Sequence, residues 1–401
     1  MTPGWRRDEL AYCSNVHAGE SVDALAQTVA RFVAPVAGAR GVACRAGLWI
    51  GAAAVHELAN VPATRQRFIA ALARHAVGLT TLNGFPFGGF HDAVVKAAVY
   101  APDWCTQERY DYSLALAELL ADVLPADAEE GSISSLPLGY REGWRDHHHR
   151  LAAERLARFA GALRALWARS GRRIRLCLEM EPGCVLESTD DAIRWFTEDL
   201  PAAARRNGVP EAALGDHLGV CFDICHQAVM FEDVAASLGR LRAAGIAIGK
   251  IQVSSALEVP APELRQSLAA LAPFDEPRYL HQVRCRAADG RLLAAADLPE
   301  ALDEAAGLPR NCAWRVHFHL PIQESEIGDA RLRTTRQAIE EVLRFLALTP
   351  DLRPHLEVET YTWNVLPPAL RPRDDDSLIR ALATELDWLE GALARHRLLA
   401  R

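Results

Sequence analysis

Lysine is nearly missing from this chain: only Lys96 and Lys250 are lysine among its 44 Lys and Arg residues. A GC-rich genome drifts lysine to arginine, so each survivor is a candidate for a position that arginine cannot fill. Long apolar runs are missing too, and none reaches the roughly 18 residues that cross a bilayer. No membrane span is therefore expected. Residues Met1 to Glu9 carry charges of both signs with no apolar stretch behind them, unlike a signal peptide, so a cytoplasmic location is expected. CxxC pairs are absent. The nine cysteines are scattered and odd in number, and read as buried thiols, not a disulfide framework. Positive charge is not in excess either. A net charge of −8 argues against a phosphate-backbone binder, and no nucleic-acid partner is expected.

No Pro/Ser-rich linker or low-complexity tract divides the 401 residues, half of which are hydrophobic. Short apolar runs alternate with amphipathic helical stretches, the pattern of βα units on a parallel sheet. The strand candidates are 10–16, 41–50, 79–85, 131–137, 173–181, 218–224, 248–255, 313–320 and 355–363. Leu156, Phe159, Leu163 and Leu166 mark a helix over 151–168. Ile339, Val342, Leu343 and Leu346 mark one in 329–347, and Leu378, Leu382, Leu386, Leu389 and Leu393 mark one over 377–395. Nine strands for the eight places of a (β/α) barrel leave one surplus, somewhere between 248 and 363. Residues 258–311, with a hairpin turning at Asp289-Gly290, read as an insertion over the barrel mouth within a single domain spanning 1–401.

Buried parallel strands are usually almost purely apolar. These carry polar residues at their carboxyl ends. Glu179 and Glu181 share a strand face, as do Gln252 and Ser254, His317 and His319, and Glu357 and Glu359. Asp223 ends another run, with His226 three residues on. In a barrel such ends converge on one mouth. Anions gathered there repel one another unless protons or a divalent cation neutralise them, and mixed His/Asp/Glu ligation suits zinc or manganese. Each feature also has a plainer reading. The glutamates could form a solvated face, Asp223 could cap a helix, and His317 and His319 could be hydrogen-bonded core residues. His147-His148-His149 reads as a solvated loop. The segment Asn83 to His91, rich in Gly and Phe, could wall a pocket or simply turn. Lys96, Tyr100, Asp103-Trp104 and Arg109 could reach the mouth or tie that loop down.

Asp223-Ile224-Cys225-His226 resembles the Asp-x-x-His element of the sugar-phosphate isomerase/endonuclease-type barrels, within the xylose-isomerase-like TIM-barrel superfamily. The resemblance implies that the Asp binds a metal and the His binds metal or substrate. Glu181-Pro182, with Glu179 as an alternative, is similar to a metal-ligating Glu on an earlier strand. Val358-Glu359-Thr360 is similar to the Glu-Thr that closes the site. Gln252 stands where a histidine ligand is usual, which leaves His281 or the His317/His319 pair to supply the missing imidazole. Over residues 10–367 the chain resembles, more specifically, the EboE branch of metabolite traffic proteins. Tyr12 to His17, Asn83 to His91, Gly131 to Pro137, Cys177 to Cys184, His317 to Pro321 and Leu356 to Trp363 carry that likeness.

The expected metal ligands are thus Glu181, Asp223, His226, His281, His319 and Glu359. Glu181, Glu359 and Lys250 are the expected catalytic groups. Asn83, Phe85, His91, Glu179, Gln252 and His317 are the expected substrate contacts. Three activities fit: a metal-dependent isomerase or epimerase of a small sugar-like or modified metabolite, a phosphoester hydrolase, or a non-catalytic carrier. The resemblance also implies a small-molecule metabolite as ligand and a protein partner in a metabolite-export pathway.

Overall fold

A computed structural model of the chain describes residues 4–303, 308–328 and 331–400. Met1 to Pro3 of the charged amino terminus, 304–307 of the expected insertion and 329–330 of the expected helix 329–347 lie outside the described residues.

Eight parallel strands close a barrel. In chain order the first seven are β1 (Ala11–Cys13), β2 (Arg45–Trp49), β3 (Gly78–Asn83), β4 (Glu130–Ser135), β5 (Arg173–Glu179), β6 (Leu218–Asp223) and β7 (Ile248–Val253). A second sheet follows, made of β8 (Leu257–Val259), β9 (Val283–Arg286), β10 (Leu292–Ala295), β11 (Trp314–Val316), β12 (Glu326–Ile327) and β13 (Leu332–Thr334). Then β14 (His355–Val358) enters between β7 and β1 and completes the ring β1-β14-β7-β6-β5-β4-β3-β2. The second sheet runs β10-β9-β11-β8-β13-β12, antiparallel throughout. The surplus strand candidate is therefore 313–320: its Trp314–Val316 pairs with β8 and β9, not with the barrel.

Helices wrap the barrel with one apolar stripe inward. In Asp146–Ser170 the buried residues include Leu156, Phe159, Leu163 and Leu166, and the helix stops at Gly171, whose φ of 67° is left-handed. The His147–His149 run forms the first turn of this helix and not a loop, with the Arg145 amide donating to His148 Nδ1. In Asp375–Arg395, Leu378, Leu382, Leu386, Leu389 and Leu393 are buried. Each such side chain taken from water contributes about 1.5–3 kcal/mol. The third expected helix spans Arg336–Ala347 with its stripe of Ile339, Val342, Leu343 and Leu346 buried.

The barrel interior is polar in its upper layers, and one glycine makes that possible. A Cβ on Gly47 of β2 would lie 1.6 Å from Glu357 Oε2. The Glu357 side chain from β14 occupies the space that any larger residue would need.

Candidate metal centre and pocket

Strand ends set the site. On β6, Asp223 caps the helix Ile224–Val229: its Oδ1 accepts from the His226 amide at 2.8 Å and from Ser254 Oγ at 2.8 Å. The helix-cap reading and the site reading of this residue are thus both compatible with the geometry, because the second oxygen remains. Asp223 Oδ2 is buried with no hydrogen-bond partner, and so is His319 Nε2, 4.0 Å away. The His319 ring is oriented by its Nδ1, which donates to the Glu359 carbonyl at 2.8 Å. Unpaired buried polar atoms are costly, and two that face each other across this gap mark a place for a shared cation or water.

Three overlapping sets of groups could hold an ion: Asp223, His226 and His319; Glu179, Asp223 and Glu359; and Cys225, His317 and His319. In each set the candidate ligand atoms lie within 4.8 Å of one another. Glu179, from the end of β5, enters a carboxylate set. Glu181 enters none among the described residues: its Oε1 accepts from Tyr100 Oη at 2.6 Å, and His317 Nδ1 lies 3.9 Å from it. His281 is also outside the sets. Its Nδ1 is turned to the His317 carbonyl and its Nε2 to Glu276, both at 2.9 Å, so both ring nitrogens are engaged.

Burial dominates the electrostatics here. It raises Glu179 to about 7, helped by Asp223 and opposed by His226. It raises Glu181 as well, against the pull of His226 and the Tyr100 hydrogen bond. Glu359 is pushed well above the usual carboxylate range by burial and by Glu179 and Asp223. Asp223 goes the other way. Burial opposes its ionisation, but His226, His319 and the hydrogen bonds it accepts outweigh that and lower it. Burial drives His319 down to about 4 and holds His317 well below its ordinary value. His226 alone is raised: burial works against its charge, and Asp223, Glu181 and Glu179 overcome it.

A pocket opens above these groups. Glu179, Glu181, His226, His317, His319 and Glu359 form its floor, with Asn15 and Asn83 beside them. Phe85 is on its wall. The expected contacts Gln252 and His91, and the expected catalytic Lys250, are not in its lining. Gln252 and Lys250 sit in the layer below, where Asn83 Oδ1 accepts from Lys250 Nζ at 2.8 Å, from Gln252 Nε2 at 3.1 Å and from Ser134 Oγ at 3.1 Å. Asn83 Nδ2 donates to Glu357 at 2.7 Å, and Lys250 Nζ lies 3.2 Å from the same carboxylate. Burial lowers the Lys250 ammonium's affinity for its proton, but Glu357 and the other nearby acids outweigh this and hold it charged. His91 is outside the pocket lining and packs edge-on and tilted against Phe90 and Trp49.

Several positioning residues had no assigned role in the sequence. Cys13 Sγ and Asn15 Nδ2 donate to Glu359 Oε1 at 3.2 and 3.3 Å. Gln282 spans two partners: its Oε1 faces His317 Nδ1 at 2.6 Å, and its Nε2 donates to Tyr100 Oη and the Pro182 carbonyl. Glu385 is wholly buried and accepts from Thr360 Oγ1 at 2.6 Å, the Ile322 amide at 3.2 Å and Trp363 Nε1 at 3.1 Å. An acid on the leucine stripe of 377–395 was the sequence signal for it. Arg109, named in the sequence as a residue that could tie down the Asn83–His91 loop, donates to the Gly84 and Phe85 carbonyls of that loop and to the Pro102 carbonyl beside its own helix.

No family model matches this chain, and no curated protein matches it. Solved structures do. The xylose isomerase domain protein from Planctomyces limnophilus is 14% identical with a TM-score of 0.50, and 99% of each chain is covered. D-Allulose 3-epimerase from Methylomonas sp., solved in complex with D-allulose, is 10% identical with a TM-score of 0.51, covering 98% of this chain and 99% of that one. The fold is a xylose-isomerase-like TIM barrel. No helix among the described residues is long and apolar enough to cross a membrane.

Proposed function

We propose that this xylose-isomerase-like barrel is a divalent-metal-dependent isomerase or epimerase of a small hydroxy-carbonyl compound. The observation that carries the reading is the pair of unpartnered buried atoms, Asp223 Oδ2 and His319 Nε2, facing each other beside the carboxylates of Glu179 and Glu359. These four residues, with His226, would hold the ion, and zinc or manganese suits such a donor set. His319 stands in for the imidazole missing at Gln252. When bound, the ion neutralises the carboxylates and polarises a carbonyl oxygen.

The chain's own residues do the rest. Glu181, outside the metal sets, takes a proton from the carbon next to the carbonyl and returns it, with Tyr100 Oη holding its carboxylate in place. Its raised affinity for protons brings it nearer the working pH of a general base. Glu359 is the second candidate for moving a proton. The aromatic residues above the floor exclude water from the exchange.

Metal content of the purified protein is the first test, with zinc or manganese expected. Deuterium uptake from heavy water into a bound α-hydroxyketone is the second. Asp223→Asn should lower that exchange by several orders of magnitude. Failure of the metal-loaded protein to exchange deuterium into any bound α-hydroxyketone would favour the carrier reading. That reading draws on the likeness to the EboE branch and on Gln252, and brings with it a cytoplasmic site of action and a protein partner in metabolite export. A phosphoester hydrolase is disfavoured because Lys96 on the pocket wall is already 2.7 Å from Asp297.

A further inference from the structure

The pocket has two chemically different halves. Its floor gathers the carboxylates and imidazoles. Its upper wall is built from Phe85, Phe90, Val95, Val99, Tyr279 and Leu280, which come from the loops after β3 and from the segment ahead of β9. Polar side chains in that upper half are mostly committed. Tyr279 Oη donates to the Phe90 carbonyl at 3.4 Å. Tyr100 Oη donates to Glu181 and accepts from Gln282. Lys96 Nζ donates to Asp297 and, at 3.4 Å, to the Glu276 carbonyl. The rings of Phe90, Tyr279 and Tyr361 pack on one another, with centroids 5.0 to 5.5 Å apart.

A ligand seated with two adjacent oxygens on the floor would send its other end into this wall. A hexose would bring three or more hydroxyls there, and among the described residues that line this half the Tyr361 hydroxyl is the side-chain group left to meet them. Each hydroxyl without a partner weakens binding in such surroundings. A phosphate would fare worse, since it would add negative charge above Glu179, Glu181 and Glu359, and the Lys96 ammonium in this wall is already paired with Asp297. Methylene groups meet no such penalty and gain from burial.

We propose that the substrate is a hydroxy-carbonyl compound whose far end is an uncharged apolar substituent, not a free or phosphorylated sugar. The proposal rests on the reading of the floor as the metal-dependent reaction site. The wall must then impose a chain-length preference that the floor does not.

The test is ligand-observed NMR titration of the zinc- or manganese-loaded protein with hydroxyacetone, 1-hydroxy-2-butanone and 1-hydroxy-2-hexanone, alongside D-allulose and D-fructose 6-phosphate. Affinity should climb about fourfold per added methylene, and 1-hydroxy-2-hexanone should bind more tightly than either sugar. Leu280→Asn should flatten that climb. A flat series in the wild type, tighter binding of D-allulose or the sugar phosphate, or no binding by any hydroxyketone overturns the proposal. The same titrations on metal-stripped protein read the floor separately. If hydroxyacetone binds equally well without metal, the metal-site reading falls, while the chain-length series still decides the wall.

Discussion

The Nε2 atoms of His226 and His317 stand 3.1 Å apart, and neither can be a donor in the neutral ring. His226 Nδ1 is 2.9 Å from the Met180 carbonyl, which only accepts. His317 Nδ1 is 2.6 Å from Gln282 Oε1, and that amide is oriented by its own donation to the Pro182 carbonyl. Both Nδ1 atoms must therefore donate, so both Nε2 atoms carry lone pairs. Only an added proton or a cation makes the contact attractive. The raised affinity of His226 for protons assigns the proton to it in the metal-free protein.

Metal binding should therefore release protons and tighten with pH. Glu179, held at about 7 by burial, and His226 must both give up protons if they bind the ion. Zinc affinity is expected to climb between about pH 6 and about pH 8. Calorimetry in buffers of different ionisation enthalpy counts the released protons, and His226→Gln should lower the count. Stability follows the same sign. Both groups have folded values above their unfolded ones, so their contribution is present below the unfolded values and is lost as pH rises through the folded ones. Metal-free protein should lose thermal stability as pH rises through about 7, and metal-loaded protein should lose less. Equal slopes for the two forms would count against this.

Gly47→Ala should be among the most damaging small substitutions in the barrel. The added methyl would overlap Glu357 Oε2, and Glu357 in turn holds Lys250 and Asn83. Moving that carboxylate breaks a wholly buried ion pair. A loss of about 3 kcal/mol or more is expected from urea denaturation, against less than about 1 kcal/mol for Gly38→Ala, where a Cβ meets nothing within 4 Å.

Lys250→Met leaves Glu357 buried without its cation and should cost about 3–5 kcal/mol. Adding Glu357→Gln removes the stranded charge. The double variant should therefore be more stable than Lys250→Met alone. Additive losses would show that the two side chains do not act as a pair. Because Lys250 is fully buried below the pocket, the double variant should also keep most of its zinc affinity.

Excision of residues 258–311 should abolish cooperative unfolding. The second sheet uses residues on both sides of that range. Leu257–Val259 pairs with both Trp314–Val316 and Leu332–Thr334, and Val283–Arg286 pairs with Trp314–Val316. Removing β9, β10 and most of β8 strands the buried Trp314 and Val316 and frees the segment that carries His317 and His319. A thermal transition as sharp as that of the full chain would show instead that the barrel stands without this sheet.

Much of this architecture is legible in the sequence. Parallel strands buried on both faces favour apolar runs, and most of the barrel strands were marked by short apolar, β-branched or cysteine-containing ones, the serine-rich Glu130–Ser135 least of all. The polar exceptions at Glu179, Asp223 and Glu359 stood out because such strands seldom carry acids. Assigning 313–320 to one sheet or the other was beyond reach, since Trp314-Arg315-Val316 reads as a strand in either. The choice between Glu179 and Glu181 turned on which residue ends the strand, a boundary that pattern alone leaves loose. His281 and His91 were selected as residue types, and what occupies their rings is long-range: the partner of His281 Nδ1 is 36 residues away.

Glu385 reaches toward the proposed metal ligands from outside the barrel. Its carboxylate ties together three segments that no local pattern connects: Thr360 next to Glu359, the Ile322 amide three residues past His319, and the Trp363 indole. Thr362 Oγ1 adds a bond to the His319 carbonyl from the same turn. Burial raises the Glu385 carboxyl to about 7 even though all three partners favour the charged form. Glu385→Gln keeps the size but gives up one acceptor for a donor, which the Trp363 N–H or the Thr360 hydroxyl must then face. Partners behind metal ligands typically change affinity by about 10–100-fold, and a zinc titration of Glu385→Gln should show a loss in that range. Leu389→Ala, on the same helix and wholly buried, is the control, since a cavity there should cost about 2–5 kcal/mol without touching the tie. If the control, compared at a temperature where both variants are fully folded, loses as much zinc affinity as Glu385→Gln, the effect is general softening. If only Glu385→Gln loses it, the helix outside the barrel sets the spacing between Glu359 and His319.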